Sequence, residues 1–174
     1  MSRMMSIRLP VSAIAGVAIA TLALFMAALP AAAEAYSEQE TRNIATVQAG
    51  FDAWKAGTGS PYDDLAENAQ WTITGNSAAS RLYSSREDFI SNVIRPFNAR
   101  MSVGLVPTIS DIYADKDTVV VHFTAAGTAA DNKPYENTYA WFLQLEGDRI
   151  IRATAFFDSV AFNDLWTRVT PATP

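Results

Sequence analysis

The chain has 174 residues, with 13 Lys and Arg against 18 Asp and Glu, one histidine and no cysteine. A net charge of −5 argues against nucleic acid or an anionic membrane surface as the main partner. The missing cysteines exclude disulfides, thiol catalysis, thiolate metal ligands and a lipid-modified cysteine, so stability has to come from packing a 49% hydrophobic chain into one core.

Arg3 and Arg8 precede an apolar run from Leu9 to Leu29, and Ala33-Glu-Ala35 has the small-x-small form of a signal-peptidase site. The expectation is a cleaved signal peptide over residues 1–35, a mature chain starting at Tyr36, and a periplasmic or secreted protein with no membrane attachment. An uncleaved anchor is the competing reading of a run this long, and the Pro30 break with the alanines after it favours cleavage. Cleavage removes two arginines and one glutamate, which makes the mature domain, residues 36–169, one unit more acidic.

Ser37-Glu-Gln-Glu40 is a capping box, and Ile44, Val47, Phe51 and Trp54 recur at helical spacing until Gly57. Such a stripe ordinarily packs on a sheet, and Trp54 at its end is also a candidate to stack on a ligand. Ser60-Pro61 predicts a second, short helix to about Asn68, and Gln70 to Thr74 a short strand carrying Trp71. Gly75 to Ser80 reads as a connector or a lid. Ser84 and Ser85 cap a third helix that buries Phe89, Ile90, Val93, Ile94 and Phe97, with Pro96 ending or kinking it.

From Ser102 the pattern turns to strand. One strand reaches Ala114 with Pro107 marking an edge or a bulge, and Asp115-Lys-Asp117 turns into Thr118 to Thr128. Asp131-Asn-Lys-Pro134 turns again into Tyr135 to Leu145, and Glu146-Gly-Asp148 supplies a tight turn into Arg149 to Phe157. Asp158 caps a closing helix through Val160, Phe162, Leu165 and Trp166. Residues 170–174 read as a flexible tail. The order of elements is that of an α+β domain.

Gly147-Asp-Arg-Ile-Ile151 and Ala155-Phe-Phe-Asp158 are similar to the "G-K-I" turn and the "D-Y-F-D" strand end of the SnoaL-like and ketosteroid-isomerase-like branch of the NTF2-like superfamily. The chain from Ser37 to Val169 resembles that family in its order of elements. The resemblance implies an NTF2-like cone, a curved antiparallel sheet with three helices of the N-terminal half on its concave face, and a sheet-to-sheet homodimer.

Alternation along the last three strands separates two sets of side chains. The set mixing aromatics, alanines and polar groups reads as the pocket wall: Val120, His122 and Thr124; Asn137, Tyr139, Trp141 and Leu143; Ile151, Ala153, Ala155 and Phe157. The other set, with Val119, Val121, Phe123 and Phe142, reads as the face that a second copy covers. The candidate catalytic groups are His122 as a base and Tyr139 as a donor, with Asn137 an alternative donor. The candidate ligand contacts are Trp54, Trp71, Thr124, Asn137, Trp141, Ala155 and Phe157. A hydrogen-bonded core residue is the bland reading of His122, and cross-strand packing that of Tyr139, Asn137 and Trp141.

No metal or cofactor is implied, since no carboxylates cluster with the single histidine. Epoxide hydrolases of limonene type, which the hairpin resembles, carry an inward carboxylate where this chain has Ala155, and Thr154 stands in place of their arginine. Their arginine and aspartate on the preceding strand match His122 and Thr124. Two functions remain open: an exported domain that binds a small apolar molecule without turnover, and an isomerase- or cyclase-like enzyme that moves a proton with His122.

Overall fold

Ser37 opens the first helix through the reciprocal cap that its spacing to Glu40 predicts. The serine side chain accepts from the Glu40 N–H at 3.3 Å, and the Glu40 carboxylate accepts from the Ser37 N–H at 2.7 Å. Helix α1 runs Glu38–Ala56 and stops at Gly57, whose φ of 70° is the left-handed conformation glycine adopts without a Cβ clash. This computed structural model describes residues 35–171. The expected signal peptide, all but its last residue, and the end of the expected tail lie outside the described residues.

The expected helix from Pro61 to Asn68 is a single 3₁₀ turn, Pro61–Asp64, and strand β1 (Leu65–Ile73) follows at once. Leu65 and Ala69 are both buried and sit four apart, which looks helical in the sequence. Residues four apart also share one face of a strand, and Leu65 and Ala69 point inward with Trp71 and Ile73. β1 is stabilised by a partner far along the chain, strand β6 (Arg149–Phe157), to which it runs parallel. The short strand β2 (Leu82–Tyr83) then pairs antiparallel with β1.

Helix α2 spans residues 86–98, starting where the Ser85 hydroxyl accepts from the Asp88 N–H at 3.1 Å. Pro96 does not end it. The turn before the proline, Ile90–Ile94, widens to π geometry, and the Arg95 N–H reaches back to the Ile90 carbonyl. A π turn absorbs a residue whose ring and missing N–H disturb regular bonding.

The remaining elements are β3 (Met101–Asp115), β4 (Thr118–Ala129), β5 (Pro134–Glu146), β6 and helix α3 (Ser159–Arg168). The sheet order is β2-β1-β6-β5-β4-β3. All neighbours are antiparallel except β1 and β6, so the curved sheet is mixed rather than wholly antiparallel. β3 is an edge strand, where Pro107 is tolerated. Gly147 makes the β5–β6 turn with a φ of 62°. The Asp158 carboxylate caps α3 by accepting from the Val160 N–H at 2.8 Å.

One strand faces the other way from the expectation. A β4–β5 hairpin centred between Ala130 and Asp131 would put His122 opposite Tyr139, whereas the observed partners are His122 with Ala140, Phe123 with Tyr139 and Thr124 with Thr138. The loop centres on Asp131, with the Ala129 N–H bonded to the Lys133 carbonyl and Asn132 at a φ of 64°. A slip of one residue exchanges the two faces of a strand. Val119, Val121 and Phe123 are therefore fully buried beneath α1, where Phe51 meets Phe123 edge-on at 4.8 Å, and they are not a dimer face. His122 and Thr124 belong to the convex side. An irregularity between Gln144 and Leu145 likewise makes Ile150, not Ile151, the buried residue of that pair.

Candidate functional site

The concave face of β1, β6 and β5 forms the back wall of the cone, and α2 and α3 close it. Trp71 and Ile73 come from β1, Ala155 and Phe157 from β6, and Tyr139 and Trp141 from β5. Phe89, Val93, Ile94 and Phe97 reach in from α2, Phe162 from α3, and Trp54 from the last full turn of α1. Together with Tyr62 and Leu105 they line a half-open chamber of about 60 Å³. The aromatic rings fill most of the cone themselves. Trp71 stacks on Phe89 with centroids 4.3 Å apart, and Trp141 stands edge-to-face on Trp71 at 5.1 Å and on Phe123 at 4.8 Å.

The polar atoms on this wall are phenol and indole groups. Burial pushes the Tyr62 phenol up and the Tyr139 phenol well above its ordinary range, with the neighbouring Tyr135 phenol adding to the second shift. Both therefore stay protonated at neutral pH and serve as hydrogen-bond donors rather than bases. No nitrogen or oxygen of the described residues accepts from the buried Trp71 Nε1–H. Among the described residues, no carboxylate, imidazole, ammonium or guanidinium lines the chamber.

A wider groove of about 650 Å³ lies outside, between the end of α1, the 3₁₀ turn, the end of α2 and the start of β3. It shares Trp54, Tyr62, Ile94, Phe97 and Leu105 with the chamber, so these five side chains form the partition between the two spaces. Lys55, Ser60, Asp63 and Asn98 add polar groups to the outer side.

Of the residues expected at the site, Trp54, Trp71, Tyr139, Trp141, Ala155 and Phe157 are brought together on the chamber wall. Asn137 lies next to it but is occupied. Its Nδ2 donates to the Tyr135 hydroxyl at 2.9 Å and to the Asp158 carbonyl at 3.0 Å, while its Oδ1 accepts from the Thr138 and Asp158 N–H groups at 2.8 and 3.0 Å. This residue fastens the start of α3 to β5.

His122 and Thr124 stand on the convex face, His122 with its Nδ1 3.4 Å from the Asp111 carboxylate. The expected patch of His122, Thr124, Asn137 and Tyr139 does not exist, because the hairpin register separates its two halves. Tyr62, Ile73, Phe89, Val93, Ile94, Phe97, Leu105 and Phe162 complete the wall without having been singled out as site residues. The buried stripe of α2 was legible as core, but nothing in its spacing told that it borders a cavity from Phe89 to Phe97.

The SnoaL-like domain family model matches residues 47–153, and the chain belongs to that family and with it to the NTF2-like superfamily. No curated protein sequence matches the chain. Among solved structures, a protein of Jannaschia sp. CCS1 assigned as a SnoaL-like polyketide cyclase is 18% identical with a TM-score of 0.62, over 75% of this chain and 98% of that one. An NTF2-like protein of unknown function from Burkholderia pseudomallei K96243 is 17% identical with a TM-score of 0.60, over 72% and 97%. TerC, co-crystallised with polyporic acid, is 15% identical with a TM-score of 0.59, over 71% and 97%. At these identities the likeness is one of fold.

Proposed function

We propose that the protein binds a small, apolar, ring-containing molecule at the mouth of its cone and does not turn it over by acid–base chemistry. The carrying observation is the apolar, mostly aromatic partition that groove and chamber share, Trp54, Tyr62, Ile94, Phe97 and Leu105, with no imidazole among the described residues that line either space. Proton transfer of the isomerase or cyclase kind needs a base with a pKa near the working pH. The two phenols here are shifted away from that range, and the one histidine is on the convex face. The presence of polyporic acid in TerC is consistent with a cone of this fold accommodating such a molecule.

Volume sets where the ligand sits. An apolar cavity of about 150 Å³ holds one benzene ring, so 60 Å³ holds none. The body of the ligand occupies the groove, against Trp54 and Tyr62. N-Phenyl-1-naphthylamine, a neutral fluorescent probe, should bind with low micromolar affinity, and Trp54→Ala should weaken it on the order of tenfold through lost stacking area. His122→Gln should change its affinity less than about twofold, because the imidazole is on the far side of the sheet. Failure of the wild type to take up the probe defeats the proposal.

Export and self-association belong to the same proposal. A leader cleaved before Tyr36 accounts for Arg3, Arg8, the apolar run and Ala33-Glu-Ala35, and N-terminal sequencing of the mature protein tests it. A homodimer accounts for Phe142 and Phe156, which are 42% and 46% exposed on the convex face and pack on each other at 5.8 Å.

A further inference from the structure

The four segments around the mouth of the cone share a property that the back wall lacks. α1 ends there at the left-handed Gly57, Pro61–Asp64 is a lone 3₁₀ turn, Ile90–Ile94 is a π turn, and β3 loses register with β4 between Met101 and Val103 and again between Val103 and Val106. The 3₁₀ turn and the irregular part of β3 have fewer regular backbone bonds to break than a ladder strand. Four of the five partition residues ride on or beside the four segments: Trp54 on α1, Tyr62 on the 3₁₀ turn, Ile94 on the π turn, and Leu105 within the irregular part of β3, while Phe97 sits on the regular turn that follows the π turn. The wall between groove and chamber is therefore the part of the cone best able to shift, and shifting it joins a polar-rimmed groove to an apolar interior.

Charge on the groove is one-sided. Asp63 is paired with Arg86 at 3.7 Å, whereas Lys55 has no carboxylate within ion-pair distance among the described residues. Resting on the reading above, we propose that groove and chamber form one elongated site for an amphipathic anion, with its apolar ring end displacing the partition and entering the chamber and its carboxylate or similar head lying in the groove beside Lys55. The chamber selects against charge and the groove selects for negative charge at one end, so the ligand class is an aryl- or alkyl-chain acid rather than a hydrocarbon.

The test uses 4-(2-naphthyl)butanoate, its methyl ester and 2-butylnaphthalene as probes of the whole protein. At low ionic strength the acid should bind about fivefold tighter than the ester, the size expected for one solvated ion pair, and added salt should erase the difference. Lys55→Glu should reverse the preference between acid and ester, since Lys55 is exposed on the last turn of α1 and free to take the substitution. Contacts in NMR spectra from the naphthyl protons to the methyls of Ile73 and Val93, which line the chamber and not the groove, should report entry through the partition. Equal binding of acid and ester, or no Ile73 and Val93 contacts, overturns the elongated site and leaves apolar binding standing. Failure of all three probes, 2-butylnaphthalene included, overturns the apolar-binding reading and this inference with it.

Discussion

The two faces of one sheet are built from alternate residues of the same strands and have opposite fates. On β5, Trp141 is 3% exposed and touches six other aromatic rings, whereas the adjacent Phe142 is 42% exposed and touches one, Phe156. On β4, Phe123 is fully buried under α1, while His122 beside it meets Asp111 in solvent. Apolar side chains on a strand do not decide which face is core. The helices do, by covering one side, and the uncovered side keeps a mixture of aromatics and ion pairs that suits contact with a further surface.

The largest effect should come from breaking the covered face. Trp141→Ala removes a buried ring at the centre of the aromatic cluster and should cost about 3–5 kcal/mol in urea unfolding. Phe142→Ala, one residue along, should cost less than about 1 kcal/mol. Similar losses from the two changes would mean that the convex side is as much core as the concave side.

A smaller effect belongs to the join between the cone and its closing helix. Asn137→Ala leaves the Asp158 N–H and the Tyr135 hydroxyl without their partner, and should destabilise by about 2–3 kcal/mol while raising the amide exchange rate at the start of α3. If exchange there is unchanged, the asparagine is not what holds the helix.

The smallest change in fold stability should come with the clearest change in mass. Phe142→Asp places a charge in the middle of the proposed dimer face, so sedimentation should move from dimer to monomer with unfolding stability within about 1 kcal/mol of wild type measured as monomer. A wild type that already sediments as a monomer removes the dimer from the proposal.

Much of this architecture was legible in the sequence because its signals are local. Ser37 with Glu40, Gly57, Gly147 and Asp158 each satisfy or release backbone groups within a few residues, and the structure places all four where spacing predicted. The same holds for Pro107 on an edge strand and for the inward phase of β5, from Asn137 through Leu143. Of the site, Trp54, Tyr139, Trp141, Ala155 and Phe157 could be read from a helix stripe and from the alternation along β5 and β6, although the irregularity at Gln144 and Leu145 is what brings Trp141 opposite Ala155.

What the sequence by itself determined, then, is the set of elements and the two faces of each strand taken singly. Tertiary structure alone decided which faces join. The β4–β5 loop admits two centres half a residue apart, and only the packing of Val119, Val121 and Phe123 beneath α1 selects the one that sends His122 outward. Likewise Leu65 to Asn68 fits a helical or an extended pattern, and the parallel partner that makes it a strand lies more than eighty residues later, beyond the reach of any local spacing.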